Sequence, residues 1–233
     1  MPSLKTGADM KQLNNWFLWR LVWDATEQKY EKKPCDLAGN MVGNTGHPSK
    51  PENRYSYDQV RAALDVLHEK FPPRSAVTYT MGFWLTEDCG YWFFDMDNAV
   101  QDGQVVPMAS QLLAMFPGAM WEWSSSSRGL HVIGRGPVPE HRTKPTKETK
   151  AQLGKLELEF YNKGRGIAFG FDPWSGDPDT SHDAAVQWLC ANYFPPPAKG
   201  EGTDVRRPEW RGPENDDELI ARMLRSRQSA ESA

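Results

Sequence analysis

Asp95 and Asp97 sit in the run Phe93-Phe94-Asp95-Met96-Asp97-Asn98. Tyr91 to Phe94 reads as a short buried strand leading into them, and strand side chains alternate with period two, so both carboxylates point to one side. Like charges on one face at the end of an apolar strand repel. A divalent cation such as Mg²⁺, which prefers carboxylate oxygens, would offset that cost. A second group is Ser124 to Ser127 followed by Arg128, Gly129 and His131. Hydroxyls and backbone N–H groups cradle phosphate oxygens, arginine grips them with a planar fork, and His131 could donate to them as well. The third is Leu156-Glu157-Leu158-Glu159-Phe160-Tyr161, with Arg165 beyond the turn; on a strand, Glu157 and Glu159 share a face. Taken singly, these are a polar strand exit, a serine loop and a solvent-facing edge strand. In this order they suit nucleotidyl transfer: acids to hold two metals, and a loop with His131 to hold a triphosphate in line.

Such residues need a sheet to carry them. Asn14 to Trp23 reads as a strand, turning at 27–29 into a second that ends near Pro34. Residues 36–54 read as a long loop. A helix capped by Ser56 or Asp58 follows, with Val60, Leu64, Leu67 and Phe71 on one face. Ala76 to Leu85 reads as a strand or hairpin arm, and Pro107 to Phe116 as a helix. Met120–Trp123 and Gly129–Gly134 read as strands flanking the serine loop, and 137–150 as a polar loop. Leu156–Tyr161 is a strand that Ile167–Phe171 could pair with, and His182–Tyr193 is a helix. Trp16, Trp19, Trp23, Trp84 and Trp92 fall on strands and read as core. Residues 196–213 read as a linker. Residues 214–233 read as the start of a C-terminal helical region, with a helix over 218–227 whose acidic start and basic end complement its dipole.

The order FFDMDN, SSSSRGLH, LELEFYNKGRGIAFG resembles motifs I, II and III of the archaeo-eukaryotic primase superfamily, in particular the primase-polymerase (PrimPol) domains of phage and plasmid replication proteins. NWFLWRLVW, EKKP, the helix around 57–67 and DDELIARML are similar as well, so the resemblance spans about residues 14–195 and the tail. It implies an α+β fold: an RRM-like antiparallel-sheet catalytic core with an N-terminal α/β unit, filling 1–195. It implies a DNA-directed nucleotidyltransferase, a primase and DNA polymerase that joins nucleoside triphosphates on single-stranded DNA. By position, Asp95, Asp97 and Glu159 would be the catalytic, metal-holding acids for Mg²⁺ or Mn²⁺, with Glu157 the competitor for the third place. Ser126, Arg128, His131 and Arg165 would bind the nucleotide. Template and primer are the implied partners, with room for a helicase domain or protein downstream. Ser127 stands where the family often has glycine, and Phe169-Gly170 where it often has Thr-Gly.

The competing reading is a non-catalytic single-stranded nucleic-acid module whose Trp121, Trp123 and Phe160 stack bases. A rolling-circle nicking enzyme would need a His-x-His pair, and none occurs. Cys35, Cys89 and Cys190 form no CxxC pair, so no zinc is expected. No apolar run nears the ~20 residues of a membrane helix, and the start of the chain lacks a signal-peptide stretch, so the expected location is the cytoplasm, that of a bacterial host if the chain is phage-encoded. The 233 residues carry 27 Lys+Arg against 31 Asp+Glu, a net charge of −4, which argues against a uniformly basic coat protein. Residues 128–165 nevertheless hold nine Lys and Arg against four acids. That is a local basic track beside the candidate acids. If the helical region that assists initiation is only begun here, the chain is expected to extend primers better than it starts them.

Overall fold

A computed structural model describes residues 7–196, which belong to the first of two units of the chain, 1–196 and 197–233. The expected linker beyond residue 196 and the helical region 214–233 lie outside the described residues. The protein is α+β with antiparallel sheets. In chain order the elements are α1 (Ala8–Gln12), β1 (Trp16–Asp24), β2 (Lys29–Cys35), α2 (Tyr57–Lys70), β3 (Val77–Leu85), β4 (Tyr91–Asp97), β5 (Val100–Gln101), β6 (Gln104–Val105), α3 (Pro107–Leu113), β7 (Met120–Trp123), β8 (Leu130–Arg135), α4 (Lys147–Leu153), β9 (Glu157–Tyr161), β10 (Arg165–Ala168) and α5 (Asp183–Tyr193).

Two four-stranded sheets dominate. The first has the order β10-β3-β1-β2 and the second β7-β8-β4-β9, with every pairing antiparallel. The second sheet is a β-α-β-β-α-β run in which the third strand, β8, slots between the first and second, the split β-α-β arrangement. Its two faces differ because its strands alternate. Phe94, Met96, Val132 and Phe160 turn to one side and pack with Leu112 of α3 and Leu189 of α5. Phe93, Ile133 and Met120 turn to the other and share a core with Trp16, Phe83 and Ile167 of the first sheet and Leu64 of α2. Asp95 and Asp97 lie on this second side, beyond Phe93, where the inter-sheet core gives way to a cleft.

Local signals explain α2. Ser56 Oγ accepts from Gln59 N–H (3.3 Å), and Gln59 Oε1 accepts from Ser56 N–H (3.0 Å), a capping box. Three expectations need correction. The supposed polar loop 137–150 runs into α4, started by Thr146, whose Oγ1 accepts from Thr149 N–H (3.3 Å). With Leu153 its only large aliphatic residue, this helix carries almost no periodic signal. The segment after β9 does not pair back with it: the turn at Gly164 (φ +66°) sends β10 across to β3 of the first sheet, Ile167 opposite Phe83. The short α1 and the β5–β6 hairpin carry too little periodicity to be read. The tryptophans divide, too. Trp16 and Trp92 are fully buried, Trp19 and Trp84 are only half-buried, and Trp23 is 39% exposed.

Candidate functional site

Strand register builds the site. Glu122 on β7 lies opposite His131 on β8, His131 opposite Asp95 on β4, and Asp95 opposite Glu159 on β9. Direct cross-strand partners project to the same face, so these four form one row across the sheet. Two residues along, Asp97 pairs with Glu157 on the same face.

Glu122 is buried at 2% exposure and Oε1 has two donors: His131 Nδ1–H and Gly170 N–H, each at 2.9 Å. A carboxylate only accepts, so the proton of that contact sits on Nδ1 and Nε2 is turned toward Asp95 Oδ1, 3.7 Å away. Burial disfavours charge on His131, but the Glu122 hydrogen bond and the Asp95 and Glu122 carboxylates outweigh it and raise its pKa above the ordinary value. Gly170 is required here. A Cβ at that position would lie 2.0 Å from the Trp123 carbonyl oxygen. Phe169, where a threonine was the family expectation, stacks on Trp16 in the core (5.6 Å).

Asp95 is the least comfortable group. Among the described residues its buried Oδ1 accepts no hydrogen bond. Burial pushes its pKa up to about 6, and the Asp97 and Glu159 charges add to this against the opposing pull of His131 and Lys32. Glu159, its neighbour in the row, is satisfied instead. It pairs with Lys144, accepts from Tyr161 O–H (2.7 Å) and lies 3.5 Å from Arg165. Half-burial works to raise its pKa, but the Lys144 and Tyr161 hydrogen bonds and the Lys144 and Arg165 charges hold it below the ordinary value.

The serine run is a tight loop between β7 and β8. Ser124 N–H donates to Gly129 O (2.9 Å), Gly129 N–H donates to Ser124 Oγ (3.0 Å), and Ser127 N–H donates to Ser124 O (2.8 Å). Ser127 adopts φ +57°, so the loop holds a left-handed residue without the expected glycine. Gly129 lets the loop close on the acids, since a Cβ there would lie 3.2 Å from Asp97 Oδ1.

A cavity of about 290 Å³ brings these parts together. Asp95, Asp97 and His131 line it, as do Ser124 to Ser126, Arg128, Glu157 and Arg165. Of the expected residues, Asp95, Asp97, Ser126, Arg128, His131 and Arg165 therefore meet in one place. Glu159 sits in register beside Asp95 but is engaged by cations, while Glu157 opens onto the cavity. The first sheet adds Lys29, Tyr30 and Lys32 of β2 to the lining. Lys32 falls in the EKKP stretch, but nothing in the sequence gives these three a place in the site, because their position depends on how the sheets meet. Glu122 was also missed, although an acid alternating with apolar residues in Met-Trp-Glu-Trp is a visible sign of a buried carboxylate needing partners.

Among the described residues, no group of three or more His, Cys, Asp or Glu side chains is set to hold a metal ion. Asp95 and Asp97 do fit a hard cation as donors, being same-face carboxylates with one buried oxygen unpartnered. Glu159 could join them only by leaving Lys144. No family model matches the chain, and no curated protein matches it. No described helix is long and apolar enough to cross a membrane.

Proposed function

We propose that the chain is a metal-dependent nucleotidyltransferase, a DNA primase-polymerase that joins nucleoside triphosphates on a single-stranded DNA template in phage or plasmid replication. The observation that carries this reading is Asp95. It is buried, unpartnered at Oδ1 and raised in pKa, within a cleft that Asp97, His131, Ser126 and Arg128 share. Buried ionisable groups this poorly satisfied cluster at functional sites. The split β-α-β sheet also supports the finer assignment to an RRM-like catalytic core of the primase-polymerase type.

Asp95 and Asp97, with Glu159 or Glu157 as the third acid, would hold Mg²⁺ or Mn²⁺. Bound there, the cations would lower the pKa of the attacking hydroxyl and stabilise the leaving pyrophosphate. The chain's own residues do the positioning. Ser126 O–H and the loop N–H groups not used within the loop donate to the triphosphate oxygens, and Arg128 and Arg165, which also line the cavity, grip them. His131, held by Glu122, directs Nε2 into the same space, where as imidazolium it donates to a phosphate oxygen. Lys32, from the opposite sheet, adds positive charge facing the acids.

Replacing Asp95 and Asp97 by Ala should abolish Mn²⁺-dependent incorporation on a primed template while circular dichroism stays native. Full incorporation by the folded double variant would sink the assignment. The non-catalytic alternative loses one of its stacking residues, since Phe160 is fully buried against Trp92 and Phe94.

A further inference from the structure

The first sheet has a second face, turned away from its core. By register Phe17 on β1 lies opposite Gly82 on β3, Trp19 opposite Thr80, and Trp84 opposite Gly166 on β10. The alternate residues Trp16, Leu18, Phe83 and Ile167 fill the core. The two glycines make the floor flat. A Cβ at Gly82 would lie 2.6 Å from Phe17 Cζ and 2.8 Å from Trp19 Cδ1; at Gly166 it would lie 3.0 Å from Phe17 and Trp19 and 3.2 Å from Trp84. Any side chain there would lift the rings off the sheet. Phe17 is 1% exposed and meets Trp19 (5.0 Å) and Trp84 (6.5 Å) edge-on. The two indoles stay half-buried. Trp19 Nε1–H donates to Ile167 O (2.9 Å), which fixes that ring in place.

This face leads to the cavity. On β2, Lys32 lies opposite Leu21 and Tyr30 opposite Trp23. Trp19 packs on the Leu21, Tyr30 and Phe171 cluster, and Tyr30 and Lys32 line the cavity beside Asp95 and Asp97. Among the described residues Lys32 forms no ion pair. The aromatic surface therefore passes by Tyr30 and Lys32 into the acidic centre.

We propose that this face of the first sheet binds single-stranded DNA, Trp19 and Trp84 stacking its bases and Lys32 meeting its phosphates as the strand enters the cavity. The proposal rests on the nucleotidyl-transfer reading, which requires a template led to the acids. Its chemistry is matched by a single strand: every base has a π-face to stack, whatever the sequence, and the phosphates seek the cations at one end. A duplex would hide its base faces. A second copy of the chain would need far more apolar area than two half-buried indoles supply.

Binding of a fluorescein-labelled oligodeoxythymidine, followed by anisotropy without nucleotide or metal, tests it on the full chain. Trp84→Leu and Trp19→Leu, which fill the space without an aromatic face, should each raise Kd about ten-fold, since one stacked base is worth roughly 1–3 kcal/mol. Trp84→Phe and Trp19→Phe should restore most of the affinity. If Trp19→Leu fails to fold, Trp84, at the edge of the cluster, decides the matter with its two variants. Wild-type affinity in folded leucine variants, or no binding by the wild type, overturns the proposal. Mn²⁺-dependent incorporation is measured in parallel. Aromatic-dependent binding without incorporation rejects the enzymatic reading and leaves this surface standing; incorporation with leucine variants binding normally does the reverse.

Discussion

Asp95 is ionised at neutral pH at a cost that the pull of His131 and Lys32 only partly offsets in the metal-free protein. With a pKa of about 6 against an ordinary 3.8, its contribution to stability is whole below the ordinary value and is lost as pH rises through about 6. At neutral pH the charged carboxylate therefore strains the fold. Asp95→Asn should abolish incorporation yet stabilise the metal-free protein by about 1–2 kcal/mol at pH 7, and by much less at pH 4, measured by chemical denaturation. An unchanged or lower stability at pH 7 would show that Asp95 is satisfied after all. Glu122 is the opposite case, a buried carboxylate with both donors in place. Glu122→Leu should cost about 2–4 kcal/mol by orphaning His131 Nδ1–H and Gly170 N–H, and Glu122→Gln, whose amide oxygen still accepts, about half that. Equal losses would mean that the hydrogen bonds are not what keeps this acid buried.

Elements set these residues against one another. The β7–β8 hairpin supplies Glu122, the serine loop and His131, and β4 and β9 supply the carboxylates. The chain after β10 then crosses behind the hairpin and locks it through Gly170. That crossing allows no side chain, because the atom it would strike is the Trp123 backbone carbonyl, which cannot swing aside. Gly170→Ala should destabilise by at least about 2 kcal/mol in thermal or chemical melts and weaken nucleoside triphosphate binding through Glu122 and His131. A neutral result would mean that β10 and the hairpin are not packed as described. The same crossing explains why the partner of β10 was not legible. A four-residue strand carries no mark of which sheet it joins, and here a single left-handed glycine turn makes that choice.

At the scale of the molecule the charge is divided by position. A net −4 coexists with cations gathered around one cavity, Lys29, Lys32 and Arg165 from the first sheet and Arg128 from the second sheet's loop. For single strands each phosphate neutralised contributes about −0.7 to the slope of log K against log salt. Oligodeoxythymidine affinity should accordingly fall with a slope of about −2 to −3 between low and physiological salt. A slope near zero would place the strand away from these cations.

The sequence by itself determined which side chains share a strand face, because alternation is local: Asp95 with Asp97, Glu157 with Glu159, and a donor-rich loop before His131. It also determined the helices with clear caps and periodicity, α2 above all. Only the tertiary structure decided the rest. Register set Asp95 between His131 and Glu159, and this depends on pairings between residues more than thirty apart in the chain. Packing left Asp95 unpartnered while Lys144 claimed Glu159. The meeting of two sheets brought Lys32 and Tyr30 across from the acids and left Trp19 and Trp84 half-exposed where a core was expected. Burial and opposition across a cleft belong to pairs of surfaces, and no stretch of one strand contains them.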